Sequence, residues 1–289
     1  MSVLGQDFQD FELIVVDDCS TDDSLRLIEK IISSQIKFIK HQTNRGLSAS
    51  RNTGIRAASS DYITFLDADD LWDFGFLTKI KSLIDAFPEA NLFATNYTEL
   101  YSNGRTVIPK NNFGAAQIVS DFFLSNLGKP IYCTCSLCVH RQVFEQVGYY
   151  NEKITFGEDV DYNIRINAQF RLAYANVGLM TYRMQSENQI TNSRLSGRTI
   201  TDFDRYEKDF PGNDSIQKYI DFNRFVMAKT YKLEGNKVDF KTIYNKIKLS
   251  NLNFKQRMLL GLPRLFLIVI KYIKMMMLKF GLHLNSYSK

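Results

Sequence analysis

Apolar residues in the first part of the chain alternate between short continuous runs and helical spacing. Three runs end in polar residues and predict buried strands, over Phe11 to Val16, Ile36 to Ile39 and Tyr62 to Leu66. Between them, apolar residues recur at helical spacing, most clearly over Leu47 to Ala58. Strands that alternate with helices indicate an α/β fold, whose mostly parallel sheet is flanked by helices.

The same pattern continues and then changes along the chain. It predicts a helix over Phe74 to Phe87, strands over Asn91 to Tyr101 and Ile131 to Val139, and a helix over Glu158 to Gln169. From about Ser196 the strand signal fades, and helical spacing remains. We therefore expect a catalytic domain over residues 1–195, a helical appendage over 196–255 and a basic amphipathic segment over 256–289.

Two of the predicted strands end in pairs of acids. Asp17 and Asp18 follow the first strand, and Asp67 and Asp69 follow the third. In open α/β sheets ligands bind outside the carboxyl ends of the strands, so both pairs are expected to line one crevice. Carboxylate oxygens suit Mg²⁺ or Mn²⁺, although Asp69 or its neighbour Asp70 is equally suited to cap the next helix.

Four ordered segments make the assignment more specific than either acid pair alone. They run from Phe11 to Asp22, Asn44 to Gly54, Phe65 to Asp70 and Gly157 to Tyr162. Over residues 2 to about 190, the chain resembles the family 2 nucleotide-sugar glycosyltransferases. That resemblance implies the GT-A fold of nucleotide-diphospho-sugar transferases, which is Rossmann-like.

The resemblance also implies a role for each donor-side residue. Asp17 and Asp18 fall where the family contacts the nucleoside base, and Arg51 falls where a basic side chain approaches the nucleotide. Asp67 matches the carboxylate near the ribose, and Asp69 matches the metal ligand. A Mg²⁺ or Mn²⁺ ion held by Asp69 and Asp67 is the expected cofactor.

Asp159 matches the family's catalytic base, with Glu158 as its acidic neighbour. An acceptor hydroxyl is a poor nucleophile until a positioned base takes its proton. Direct displacement at the anomeric carbon then inverts the configuration of the sugar. The alternative for Asp159 is a structural one, because an acid after Gly157 also favours the start of a helix.

The chain departs from the family pattern in two places. Family members open with a strand at the centre of the sheet, whereas Met1 to Gln6 already matches the end of the first helix. The strand over Phe11 to Val16 is therefore expected to lack a neighbour on one edge, as in a truncated protein of weak or no activity. Gln185 stands where many relatives carry a histidine, and an uncharged amide is a poor metal ligand.

Cysteines offer a second metal site that we do not favour. Cys133, Cys135, Cys138 and His140 have zinc-like spacing, but in a strand the first two share one face and Cys138 lies on the other. Buried thiols in a reducing, cytoplasmic setting are the better interpretation. Trp72 is suited either to stack on a sugar or to fill the core.

Charge is distributed unevenly along the 289 residues. Residues 215–289 hold 15 Lys and Arg against 3 Asp and Glu, whereas residues 1–214 hold 21 against 28. The helix predicted over Pro263 to Phe280 is interrupted by cations and is too short to span a bilayer. Its basic and apolar faces favour an anionic membrane surface over nucleic acid, with a helix docked on the catalytic domain as the alternative.

These observations lead to one main hypothesis. The chain is expected to move a sugar from a UDP-sugar to a hydroxyl of a glycan or lipid-linked acceptor in surface polysaccharide synthesis, at the inner face of the cell membrane. A catalytically impaired, membrane-associated scaffold is the first alternative. A phospho-receiver domain, with its acid pair at Asp18 and its phosphorylated residue at Asp67, is the second.

Overall fold

The computed structural model describes residues 1–31, 35–184 and 193–279. The strands in these ranges are β1 (Leu13–Asp17), β2 (Ile36–Lys40), β3 (Tyr62–Thr64), β4 (Leu71–Trp72), β5 (Leu92–Leu100), β6 (Thr106–Val107), β7 (Ala116–Ile118), β8 (Leu137–His140) and β9 (Leu172–Arg183). The helices are α1 (Ser24–Glu29), α2 (Leu47–Ala57), α3 (Phe76–Ala86), α4 (Phe122–Ser125), α5 (Arg141–Val147), α6 (Glu158–Asn167), α7 (Phe203–Asp209), α8 (Asp214–Glu234), α9 (Lys237–Tyr244), α10 (Phe254–Gly261) and α11 (Arg264–Lys279).

The described strands form two separate sheets. β1 and β2 pair in parallel, with Leu13 opposite Ile36 and Asp17 opposite Lys40. The other seven strands form a mixed sheet in the order β3, β8, β5, β9, β4, with β6 beside β5 and β7 beside β9. The acid-bearing ends of β1 and β3 therefore belong to different sheets.

The α/β class is as predicted, but the larger sheet is mixed where a mostly parallel one was expected. In that sheet β5 and β9 pair in parallel, whereas β8 runs antiparallel to both β3 and β5. β4 and β7 also run antiparallel to β9. A long apolar run indicates that a strand is covered on both faces. Here antiparallel strands are covered on both faces as well, so the run does not reveal the direction of the strand.

Helices cover both faces of the mixed sheet. Alternate residues of β5 point to opposite faces, so Leu92 and Ala94 enter one core and Phe93 enters the other. The first core is shared with α5, α6 and α8, and the second lies under α3, whose Phe76 and Ile80 are fully buried. The first core holds Ile63 of β3 and Tyr162 of α6, so it anchors two of the elements that carry the predicted site.

The helices after residue 195 pack into the first core. Ile220 and Met227 of α8 belong to the same buried cluster as Ile166 of α6. The hydroxyl of Tyr206 on α7 donates a hydrogen bond of 2.6 Å to Asp161 of α6. The predicted helical appendage is thus in direct contact with the helix that begins at Glu158, while the domain boundaries stay predictions.

Most predicted elements occur within a few residues of their expected bounds. One prediction is half wrong, because the strand expected over Ile131 to Val139 begins only at Leu137. A 3-10 turn over Thr134–Ser136 precedes it, where the Ser136 hydroxyl accepts a hydrogen bond of 3.1 Å from the backbone of Cys133. That local hydrogen bond gives the backbone an alternative to strand pairing.

The last helices form a third apolar cluster against α8. Leu259 and Leu260 of α10 and Leu267 of α11 are buried there beside Phe225. No helix in the described ranges is both long enough and apolar enough to cross a membrane.

Candidate functional site

The first acid pair lies where β1 ends. Asp17 is buried, and its Oδ1 accepts a hydrogen bond of 3.1 Å from the backbone of Ser20. Asp18 Oδ1 lies 2.7 Å from His41 Nδ1 and accepts from the backbone of Arg45, while its Oδ2 accepts from the backbone of Gly46. Asp18 therefore fixes the loop that begins α2.

The same contacts control the charge of Asp18. Partial burial acts to raise the pKa of this carboxyl group, but the hydrogen bonds from Arg45, His41 and Gly46 outweigh it and lower the pKa. Asp18 is thus held as a carboxylate, and several of its lone pairs are already used within the protein.

Arg51 of α2 joins two motifs that are distant in sequence. Its Nη1 donates a hydrogen bond of 2.8 Å to Glu158, and its Nη2 donates one of 3.1 Å to Asp67. The side chain of Arg51 is only 7% exposed, and its guanidinium lies 5.3 Å from the centre of the Tyr150 ring. Burial disfavours its charge, but Asp67, Tyr150 and Glu158 raise the pKa, so Arg51 stays a cation.

The second acid group forms a tight turn after β3. The backbone of Asp70 donates to the carbonyl of Asp67, which turns the Asp70 side chain inward, where its Oδ1 accepts from the backbone of Arg183. Asp70 Oδ2 is buried and has no hydrogen-bond partner among the described residues. Burial, with help from Asp69 and Asp67, raises the pKa of Asp70 to about 7.

This turn contains the best candidate cation ligands. Among the described residues, Asp67, Asp70 and Cys135 bring ligand atoms within 4.8 Å of one another. Burial raises the pKa of the Cys135 thiol well above its usual value, so the carboxylates are the better donors for a hard cation. Asp69, the predicted metal ligand, is half-buried next to this group and exerts its charge on Asp70.

Asp159 is the second residue of α6. The helix begins after Gly157, which adopts a left-handed conformation with φ 70°, and the Glu158 side chain is turned toward Arg51. Asp159 retains access to solvent, but the surrounding protein and the neighbouring charge of Glu158 raise its pKa to about 6. A carboxylate with a pKa near neutrality is suited to proton abstraction.

A cavity of about 1430 Å³ lies beside the residues described above. Asp18, Arg51, Asp67 and Glu158 line it, whereas Asp17, Asp69 and Asp159 are not among its lining residues. The cavity lies between the two sheets, because β1 and β3 line it and, within the described ranges, pair only with β2 and β8. One edge of β1 is thus unpaired within the described ranges, and the truncation itself stays a prediction.

Comparison with known proteins gives the family. The family model described as glycosyl transferase family 2 matches residues 1–148, just over half of the chain. The chain belongs to glycosyl transferase family 2. Membership of this family excludes the phospho-receiver alternative.

Family 2 relatives match this chain over part of their length. An Escherichia coli protein named UDP-Glc:alpha-D-GlcNAc-diphosphoundecaprenol beta-1,3-glucosyltransferase WfaP is 29% identical over 173 residues, which are 57% of this chain and 61% of that protein. Uncharacterized glycosyltransferase EpsJ of Bacillus subtilis is 26% identical over 66% of this chain and 57% of its own length. The matches thus cover less than two thirds of either relative.

Solved structures show the same fold. S. aureus TarS 1-349 in complex with UDP-GlcNAc superposes with a TM-score of 0.58 and 18% identity, over 90% of this chain and 72% of that one. TarS 1-349 in complex with UDP gives a TM-score of 0.53 at 20% identity, over 86% and 70%. The predicted GT-A glycosyltransferase fold is confirmed by this likeness.

The other residues that the sequence singled out are Trp72, the cysteines and Gln185. Trp72 is buried, stacks on Phe76 at 4.5 Å between ring centroids and donates to the carbonyl of Cys135, which is the core role. The cysteines are free thiols, and Cys135 and Cys138 are buried. Gln185 lies outside the described residues.

Sequence reasoning missed four residues that shape the site. His41 follows β2 as the acids follow β1 and β3, so the same signal was present. The sequence predicts only a helix-capping role for Asp70. Glu152 accepts hydrogen bonds from Asn52 and Arg45, and Tyr150 lies under Arg51, but neither contact has a sequence signal.

Proposed function

We propose that this chain transfers a sugar from a UDP-sugar to a hydroxyl group of a glycan or lipid-linked acceptor during surface polysaccharide synthesis. Family membership supports the reaction type, and TarS was solved with UDP-GlcNAc. The name of the E. coli relative specifies UDP-Glc as donor and a diphosphoundecaprenol-linked GlcNAc as acceptor. Buried Arg51 carries the proposal, because it holds the acid motif after β3 against the start of α6.

The donor-side residues have distinct roles in this proposal. Asp17 and Asp18 close the end of β1, where the proposal puts the nucleoside base, and Asp18 orders the Arg45-Gly46 loop beside it. Asp67 contacts the ribose. Arg51 is buried in the wall of the cavity, where a fixed cation stabilises charge that develops on the departing diphosphate.

Asp159 is the proposed base, and the reaction inverts the sugar. As its carboxylate takes the proton of the acceptor hydroxyl, the oxygen attacks the anomeric carbon and the bond to the diphosphate breaks. Glu158 stays paired with Arg51, so its charge raises the pKa of Asp159 without competing for the proton. Burial and the charge of Asp159 raise the pKa of the Tyr219 hydroxyl on α8, so Tyr219 lies near the proposed base.

The residues present fit a divalent cation. The Arg51 guanidinium lies among the carboxyl groups of Asp67, Glu158 and Asp159, and Asp69 exerts its charge on Asp70 of the same turn. A cation bound here would offset the repulsion between these carboxylates and a diphosphate. Asp67 and Asp69, with the unpartnered Oδ2 of Asp70 beside them, would hold Mg²⁺ or Mn²⁺. When bound, the ion supplies charge compensation for the leaving diphosphate.

The location follows from the acceptor and the charge distribution. A lipid-linked acceptor lies at a membrane, and residues 215–289 carry a net charge of +12, from 15 cations and 3 anions. We place the protein peripherally at the cytoplasmic face of the cell membrane. The alternative of a catalytically impaired, membrane-associated scaffold predicts the same location without sugar transfer.

Calorimetry and a transfer assay test the proposal. We expect UDP to bind in the presence of Mn²⁺ and to bind weakly without it. Asp159→Asn should retain UDP binding but lose transfer by about 10²-fold or more, since a general base contributes that much. Asp85→Asn, at an exposed position on α3, is the matched control. Absence of UDP binding with Mn²⁺ would refute the enzyme proposal, and UDP binding without transfer from any UDP-sugar would favour the scaffold.

A further inference from the structure

Helix α11 turns an apolar face away from the protein. Leu267 is buried against α8, yet six other apolar side chains of the helix are 49% to 72% exposed. At 3.6 residues per turn they fall within an arc of about 120°. They form the apolar stripe: Leu265, Phe266, Val269, Tyr272, Ile273 and Met276.

The preceding helix also exposes apolar side chains. Phe254 and Met258 of α10 are four residues apart, so they lie on one face of the helix, and they are 76% and 46% exposed. Water-facing helices of globular proteins normally bury the apolar face and expose the polar one. Exposed apolar side chains grouped on helix faces in this way mark an interaction site.

The helices that carry the stripe hold charge of one sign. After Asp239 the sequence has ten Lys and Arg in 50 residues and no acid. Arg257 and Lys271 are exposed on α10 and α11. Lys229, Lys255 and Lys274 lie close enough that burial, together with the other two ammonium groups, lowers the pKa of Lys274 to about 8.

We propose that the apolar stripe and the cations of α10 and α11 dock this chain onto an anionic lipid bilayer. The stripe enters the boundary between headgroups and acyl chains, and Arg257, Lys271 and their neighbours contact the lipid phosphates. This inference rests on the membrane location proposed above, and it identifies the surface that would contact the membrane.

Charge also argues against a second copy of the chain as the occupant. Packing two stripes together would bring the cationic helices of two copies close to each other, with no acid from the last 50 residues to pair with their Lys and Arg side chains. An anionic bilayer satisfies both features at once, because it offers an apolar interior and a negatively charged surface.

Sedimentation of the full chain with lipid vesicles tests the proposal. We expect the protein to bind vesicles of phosphatidylcholine with phosphatidylglycerol and to bind pure phosphatidylcholine weakly. Phe266→Ser with Ile273→Ser should lower partitioning by about tenfold or more, because two exposed side chains lose their burial in lipid. Phe74→Ser with Val238→Ser removes apolar side chains that are 69% and 76% exposed elsewhere and should leave partitioning unchanged.

Variants that remove charge provide a second test of the docking surface. Arg257→Gln with Lys271→Gln should weaken binding to anionic vesicles about fivefold for each cation removed, whereas Lys40→Gln with Lys208→Gln should not. Equal partitioning of the stripe variant and the wild type would overturn the proposal. So would a concentration-dependent dimer, seen by ultracentrifugation without lipid, that Phe266→Ser with Ile273→Ser abolishes.

Donor binding separates this proposal from the proposed function. UDP binding, measured by calorimetry without vesicles, should be the same in the stripe variant and the wild type, since none of the residues that line the cavity belongs to α11. Loss of vesicle binding with intact UDP binding therefore supports the docking surface. Intact vesicle binding in that variant refutes the docking surface whatever the result for UDP.

Discussion

At the residue scale, stability and the candidate site meet in Arg51. Its guanidinium is buried between carboxylates that lie 16 and 107 positions away in the sequence. Removing one partner of a buried ion pair leaves uncompensated charge, so Arg51→Gln should lower the free energy of unfolding by about 3–5 kcal/mol. Urea denaturation measures this loss.

The matched control is Arg56→Gln on the same helix. Arg56 is 52% exposed and lies 3.9 Å from Glu152, so the loss should stay below about 1 kcal/mol. If the two variants were equally stable, the buried pairing of Arg51 would not be what holds the two motifs together.

A second residue-scale prediction concerns pH. The surrounding protein and the charge of Glu158 raise the pKa of Asp159 to about 6, so the ionised, basic form is lost as pH falls through that value. We expect kcat/KM for sugar transfer to fall about tenfold per pH unit below 6 and to level off above it.

Glu158→Gln should move this limb to lower pH, because it removes the negative neighbour that disfavours ionisation of Asp159. Glu145→Gln, an exposed change on α5, should leave the limb in place. A limb that stays at the same pH in Glu158→Gln would assign the titration to another group.

At this scale the sequence predicted residue types better than their orientation. Acids after β1 and β3 were recognised because strand ends place side chains in a crevice. Which acid of the Asp67 to Asp70 turn points inward depends on one backbone hydrogen bond, from Asp70 to the carbonyl of Asp67. Tyr150 reaches Arg51 only through the packing of the first core, which no local pattern encodes.

At the scale of elements, the start of α6 positions the proposed base. Gly157 has φ 70°, and a Cβ added there would lie 3.4 Å from the methyl carbon of Met227 on α8. Gly157→Ala should therefore lower the free energy of unfolding by about 1–2 kcal/mol and also lower kcat, because Glu158 and Asp159 follow directly.

Gly104→Ala provides a comparison with similar backbone strain. Gly104 has φ 78°, but an added Cβ would meet nothing within 4 Å, and the turn is far from the site in the sequence. Thermal unfolding should show a similar loss in both variants, with kcat lowered only by Gly157→Ala. Equal kcat values would mean that the α6 start tolerates displacement.

Elements whose apolar faces enter a core were predictable from the sequence, whereas the 3-10 turn before β8 and the directions of the strands were not. The predicted bounds of α3, α6 and β5 are within a few residues of those observed, because a buried face sets the spacing of apolar residues along each element. The segment before β8 became a 3-10 turn because Ser136 bonds to the Cys133 backbone. Strand direction depends on long-range pairing, so the antiparallel placement of β8 beside β5 had no sequence signal.

At the scale of the whole molecule, the C-terminal helices divide into two groups with different roles. α8 contributes Ile216, Ile220 and Met227 to the core that also holds Tyr162 and Ile166 of α6. α11 instead contacts α8 through Leu267 and the half-buried Ile270, in a separate cluster. Loss of α8 therefore exposes the core of the sheet domain, whereas loss of α11 does not.

Truncation distinguishes these roles. A chain ending at residue 262 should unfold cooperatively on heating, with a modest loss of stability, because the first two cores are complete. A chain ending at residue 195 should lack a cooperative transition, since it leaves Tyr162, Ile164 and Ile166 without the α8 side chains that cover them. Circular dichroism during thermal unfolding measures both. A sharp transition in the shorter chain would show that the sheet domain is autonomous, as the sequence-based boundary at 195 assumes, and that the contacts of α8 are those of an accessory unit.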